Sequence, residues 1–160
     1  IFLIVTEPIM KDQKSIQLPN NDSCAFCAYL SGERPFSFVY KGNMVSILVT
    51  REQRGCPHML VIPNRHVETI LDVTEEEAGK LAVAVRDIAK AIESEFKPKG
   101  ITIWQNNGVP SSQSIAHVHF HVAGTLGTGG TEWGDVPELS LEETEDIADK
   151  LRPLFSSYSL

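Results

Sequence analysis

The segment His117-Val118-His119-Phe120-His121-Val122-Ala123 alternates imidazole and apolar side chains at strict two-residue spacing. That alternation is the period of a β-strand, so the segment is expected to set three imidazoles on one face, with Val118, Phe120 and Val122 in the core behind them. A lone histidine is ordinarily a hydrogen-bonded structural residue. Three on one face leave several ring nitrogens competing for partners, a costly arrangement unless chemistry uses them. Two uses fit: a transition-metal cluster, or a nucleophilic imidazole with helpers.

The 160 residues carry 42% hydrophobic side chains, enough for one globular domain with a real core. A formal net charge of -7 and the lack of a basic stripe argue against nucleic acid as a partner, so any phosphate site must be local. The longest apolar stretch, residues 1–5, is far too short to cross a bilayer and follows no basic segment, so neither a membrane span nor a signal peptide is expected. The chain does not open on Met, which leaves open that something upstream was removed. Three cysteines cannot form a fully paired disulfide framework, which favours a reducing cytoplasm.

One domain over residues 1–160 is expected, with a polar lead-in to residue 23, a core over 24–124, and a loop and helix over 125–160. Short β-rich runs lie at 36–40, 44–49 and 59–63, with turn chemistry at Lys41-Gly42-Asn43 joining the first two as a hairpin. Thr74-Glu75-Glu76-Glu77 has the form of a capping box, and Leu81, Val85, Ile88 and Ile92 recur at helical spacing until Pro98 and Gly100, predicting a helix over 75–96. A strand at 101–106, a polar loop at 107–114 and the histidine strand follow. Ser140-Leu141-Glu142-Glu143 opens a second helix, to about residue 151. This order predicts an α+β domain, an antiparallel sheet of about five strands with a long central helix and a C-terminal helix.

The remaining histidines, His58 and His66, flank the run 59–63, so all five can share one neighbourhood. Cys24-Ala25-Phe26-Cys27 has metal-ligand spacing. A redox reading would need the end of a strand and the start of a helix in a βαβ setting, which its surroundings do not obviously provide. Two thiolates and two imidazoles would complete the closed tetrahedral shell of structural zinc. Cys56 reads as a semi-buried thiol. An oxidoreductase holding a metal on the three histidines lacks a nearby carboxylate.

The pattern His-φ-His-φ-His-φ-φ, with φ apolar, resembles the signature of the histidine triad (HIT) family of nucleotide hydrolases and transferases. Pro57-His58-Met59-Leu60-Val61-Ile62-Pro63-Asn64-Arg65-His66 is similar to that family's Gly-His-x-Leu-Val-Ile-Pro-Lys-x-His segment, and Cys24-Ala25-Phe26-Cys27 to the Cys-x-Phe-Cys opening of its bacterial branch. The resemblance runs from about residue 24 to 124 and implies a HIT-like fold. It implies that Cys24, Cys27, His66 and His117 hold a structural zinc, that His119 is the nucleophile, and that His121 and His58 assist at the phosphate. It also implies that Asn106, Ser112, Gln113 and Ser114 hold the phosphate and approach the leaving group, and that the protein is a homodimer.

One departure concerns substrate choice. Where many relatives end the second strand in an Asp that binds the ribose hydroxyls, this chain has Thr50, which can replace one hydrogen bond but not a bidentate acceptor. The stretch after the triad, 124–133, is rich in Gly and Thr and reads equally as a mobile loop near the leaving group or as plain surface. The expected function is a hydrolase of nucleotide conjugates, either nucleoside phosphoramidates or dinucleoside polyphosphates, working through a nucleotidyl-histidine. The alternative is a nucleotide-binding or zinc-stabilised interaction module with little turnover.

Overall fold

The structure is a computed structural model that describes residues 15–160. The apolar run at 1–5 and the first part of the polar lead-in lie outside the described residues. From residue 15 to Cys24 the chain has neither helix nor strand. Eight elements follow: α1 (Ala25–Ser31), β1 (Phe38–Lys41), β2 (Val45–Val49), β3 (His58–Pro63), α2 (Glu75–Phe96), β4 (Ile101–Gln105), β5 (Phe120–Gly124) and α3 (Leu141–Leu151). The five strands form one antiparallel sheet in the order β1-β2-β3-β5-β4. The α+β architecture, the long central helix and the C-terminal helix are those expected from the sequence.

Both capping boxes form. Thr74 accepts from the Glu77 amide while Glu77 reaches back to the Thr74 amide, and Ser140 with Glu143 repeats the device at α3. From there the apolar face of α2, Leu81, Val85, Ile88 and Ile92, packs on Ile47, Val49, Met59, Val61 and Val122, and α3 adds Ala148 and Leu151. That is one face of the sheet. The opposite face, Leu48, Leu60 and Ile62, packs on Phe26 of α1. β2 and β3 are therefore buried on both faces, which is why they read as nearly unbroken apolar runs.

Two elements differ from the sequence reading. α1 was not expected there: Cys24 is its N-cap, its sulfur accepting from the Cys27 amide at 3.4 Å, and Gly32 closes it in the left-handed region at φ 81°. The histidine strand is shorter than expected, because β5 starts only at Phe120. The β3–β5 ladder stops at Val61 with Phe120. Two residues further along β3 stands Pro63, which has no N–H to give, and its carbonyl takes the His117 ring instead at 2.8 Å. The Val118 amide turns to the carbonyl of Val67 at 2.7 Å. His117, at the end of a bend and with its amide returned to the Ile115 carbonyl at 2.8 Å, and His119 thus precede the strand, and only His121 lies within it.

The segment after β5 is exposed at residues 127–130 and anchored beyond them. It returns to the β2–β3 connection, where the Glu132 amide donates to the Arg54 carbonyl at 2.7 Å, Glu138 bridges to Glu52, and the Leu139 amide donates to the Arg51 carbonyl at 2.9 Å. No helix among the described residues is long and apolar enough to cross a membrane.

Candidate active site and metal centre

The α1 face of the sheet carries two adjoining clusters. In the first, Cys24 caps α1, Cys27 sits in its first turn, His66 follows β3, and His117 precedes β5; one ligand atom from each lies within 4.8 Å of all the others. The Nδ1 of His117 lies 3.3 Å from the Cys24 sulfur and 3.8 Å from that of Cys27, and the Nδ1 of His66 lies 3.4 Å from the Cys27 sulfur. A tetrahedral ion with ordinary zinc–sulfur and zinc–nitrogen bonds has sulfur-to-nitrogen edges of about 3.5 Å, and the three close sulfur–nitrogen contacts are near that length, so the four groups fit such a shell. The chemistry of the set agrees. His117 donates from Nε2 to Pro63, which leaves Nδ1 with a lone pair facing the sulfurs, the outer-shell support usual for a metal-bound imidazole. Burial, with Cys24 alongside, pushes the Cys27 thiol up to about 11, so a cation is what would make the thiolate favourable.

The second cluster contains the other three histidines, and backbone carbonyls set their tautomers. His119 donates from Nδ1 to the His117 carbonyl at 2.7 Å, so its Nε2 keeps a lone pair. The Nδ1 of His58 lies 3.0 Å from the Glu52 carbonyl and 3.3 Å from the Arg54 amide; one nitrogen cannot serve both, and the shorter contact makes it the donor to Glu52. His58 Nε2 then accepts from Nδ1 of His121 at 3.0 Å. His121 consequently also offers a bare Nε2. Burial holds all three neutral: it pushes His58 down to about 4 and His121 to about 2, and lowers His119 as well. His119 and His121 meet edge to face with ring centres 4.9 Å apart, while Phe26 closes the other side of His119 at 5.2 Å. His119 is only 4% exposed and His121 half-buried, so the cluster opens on the His121 side.

The four residues expected at the phosphate fall into three situations. Gln113 is buried and its amide is committed to backbone: it accepts from Gly108 at 2.6 Å and donates to Glu68 at 2.7 Å and Ile115 at 2.9 Å. It shapes the loop. Asn106 donates to the Ser111 carbonyl across that loop, whereas Ser112, in the left-handed region at φ 67°, and Ser114 are exposed. Thr50 lies one step beyond the last β2–β3 pair, Val49 with Met59, and so sits opposite His58.

Three residues of this face were not singled out from the sequence. Gln53 brackets the start of β3, accepting from the His58 amide at 2.8 Å and donating to the carbonyls of His58 at 2.9 Å and Thr50 at 2.6 Å. Trp104 of β4 stacks on His121, ring centres 4.5 Å apart and planes within 3°. Trp133 lies 6.2 Å from Trp104. The alternation of β4 could have aimed Trp104 at this face, but only the sheet order sets β4 beside β5.

Comparison with known proteins identifies relatives in sequence and in fold. The HIT domain model matches residues 31–127. The chain is 36% identical over 140 residues to the protein hit of Bacillus subtilis, covering 85% of this chain and 97% of that one. It is 26% identical over 136 residues to an adenosine 5'-monophosphoramidase of Schizosaccharomyces pombe, covering 81% and 99%. It is 30% identical over 106 residues to a bis(5'-adenosyl)-triphosphatase of Dictyostelium discoideum, covering 61% and 71%. Among solved structures, a Hit-like protein from Bartonella henselae superposes with a TM-score of 0.77 at 27% identity, covering 85% of this chain and 98% of its own. A zinc-bound histidine triad family protein from Mycobacterium smegmatis gives 0.71 at 25% identity, covering 84% and 94%.

Proposed function

This chain belongs to the HIT domain family, and from that premise we propose that it is a hydrolase of nucleotide conjugates with His119 as nucleophile. The observation that carries the reading is the 2.7 Å hydrogen bond from His119 Nδ1 to the His117 carbonyl, which keeps Nε2 unprotonated in a buried ring. Nε2 attacks the α-phosphorus and forms a P–N bond as the bond to the leaving group breaks; the departing amine or phosphate takes a proton from solvent, since the facing Nε2 atoms carry none. Water then attacks the same phosphorus, its hydroxyl stays on the released nucleoside monophosphate, its other proton returns to solvent, and the P–N electron pair returns to His119. The net reaction consumes one water and needs no redox partner.

His121 and His58 form a hydrogen-bonded line ending on the Glu52 carbonyl, which leaves His121 Nε2 bare to accept a hydrogen bond from the attacking water at the phosphate. Asn106, Ser112 and Ser114 supply donors along the loop that Gln113 shapes, and the ribose lies at Thr50. The dication held by Cys24, Cys27, His66 and His117 is zinc, and when bound it ties α1 to the base of the histidine segment and takes no part in bond breaking. The molecule works as a homodimer, for which the edge strand β4 offers unpaired backbone and the half-exposed Ile103.

Incubating the protein with adenosine phosphoramidate and with diadenosine triphosphate, followed by rapid quench and intact mass, tests this. A nucleotidyl adduct mapped to His119 and release of AMP are expected. Binding of AMP with neither adduct nor turnover would assign the site to binding alone.

A further inference from the structure

Among the described residues, the histidine cluster has an accessible aromatic wall on one side only. On the α1 side Phe26 is 2% exposed and belongs to the core, so it offers no surface to a ligand. On the β4 side Trp104 stacks on His121, and Trp133 stands 6.2 Å beyond it, tilted 43° and 71% exposed. Trp133 is not an isolated surface ring: with Trp104 it carries one aromatic surface outward from the histidines, on which a further ring would be withdrawn from water.

The loop that carries Trp133 is built for that position. The Arg54 guanidinium, 22% exposed and paired with Glu52 at 3.0 Å, donates to the carbonyls of Gly134 at 2.7 Å and Glu132 at 3.4 Å on either side of Trp133. The Glu132 amide donates back to the Arg54 carbonyl at 2.7 Å. Trp133 is thus pinned from both flanks to the segment that also supplies the Glu52 carbonyl to His58.

Sheet order says which part of a substrate meets this wall. Thr50 extends β2, His58 opens β3, His121 lies in β5 and Trp104 in β4, in spatial sequence across the sheet. From the Thr50 strand to the Trp104 strand is three inter-strand spacings, about 14 Å. A conjugate with its ribose at Thr50 and its α-phosphorus at the histidines must carry its leaving half toward Trp104.

The geometry points to Trp104 and Trp133 as the subsite for a planar aromatic group on the leaving half of the conjugate. This rests on the hydrolase reading and on the ribose lying at Thr50. The ring can come from a second nucleobase or from an arylalkyl amine; the recognition is stacking in both cases, with Trp104 holding the His121 ring as well.

Paired substrates isolate the ring. Adenosine phosphoramidates of benzylamine and of cyclohexylmethylamine differ in aromaticity at nearly equal size, and ADP-ribose is diadenosine diphosphate without its second base. The expected kcat/KM preference is about tenfold for the aromatic member in at least one pair, and the pair that shows it identifies the source of the ring. Trp133→Leu should collapse the preference of the aromatic member over its non-aromatic partner to within about twofold. Calorimetry of both amides on His119→Asn protein reads the same preference as affinity. No preference in either pair by rate or affinity, or a preference that survives Trp133→Leu, overturns the subsite. Loss of turnover alone, with the affinity preference intact, would instead count against the hydrolase reading.

Discussion

The Nε2 of His58 lies 3.0 Å from the Nδ1 of His121, and the two rings share one proton line that ends on the Glu52 carbonyl. Neither ring can take up a second proton without losing this bond or facing the other as a cation, and both are largely withdrawn from water. The pair is therefore a source of acid sensitivity. An unfolded histidine protonates near 6.5, whereas folded His58 does so at about 4 and His121 at about 2. Between those values the unfolded chain binds more protons, so stability is full above about 6.5 and is lost as pH falls.

Each such histidine steepens the fall by about 1.4 kcal/mol per pH unit inside its window. Urea unfolding of zinc-loaded protein from pH 8 to 5 measures it, and His58→Gln is expected to lower that slope by roughly one proton's worth. An unchanged slope would mean that His58 is already charged in the folded state.

Glu77 adds a second, more acidic window. The Arg65 guanidinium bonded to it, with the Thr74 amide, holds its carboxyl at about 2 against a usual 4.5. Its depressed folded value means that this contribution is complete above about 4.5 and disappears as pH falls toward 2. Glu77→Gln should cost about 1–2 kcal/mol at pH 7, since it weakens a charge-assisted pair with a half-exposed arginine and one arm of a capping box. The difference between variant and wild type should narrow below pH 4.

His119→Ala should lower turnover by several orders of magnitude while nucleoside monophosphate binding largely survives, because only the attacking nitrogen is removed. Stopped assays with calorimetry on the same preparation decide it. An alanine variant that turns over at the wild-type rate would exclude His119 as nucleophile.

Protein purified without chelator is expected to carry about one zinc per chain, and Cys27→Ser should lower thermal stability more than it slows the chemical step. Structural zinc contributes several kcal/mol, roughly, to folding in sites of this kind. Elemental analysis and melting curves before and after chelation measure it. A metal-free protein whose melting point chelation does not move would remove the site.

Thr50→Asp should raise affinity for ribonucleotides over 2'-deoxy analogues by about tenfold or more, by adding a charged acceptor opposite His58. Calorimetry with both analogues on both proteins checks this, and a ratio that stays put would place the ribose elsewhere.

The sequence by itself determined whatever local chemistry dictates. Thr74 with Glu77 and Ser140 with Glu143 start their helices because the capping partners are three residues apart in the chain, and the β-branched runs of β2 and β3 read as strands. The metal cluster was legible because its two residue types, Cys and His, are few and the family motif spaces them; in the fold the four ligand atoms lie within 4.8 Å of one another. The tertiary structure alone decided what depends on partners distant in sequence. β5 is short because Pro63 of a neighbouring strand has no hydrogen to offer, and the His117 ring takes that carbonyl. Trp104 meets His121 because the chain's fourth strand pairs with its fifth at the sheet edge, and Trp133 joins them because Arg54, 79 residues earlier, holds the backbone on either side of it. Pairing across the sheet is settled by the packing of whole faces, and no window of local sequence carries that information.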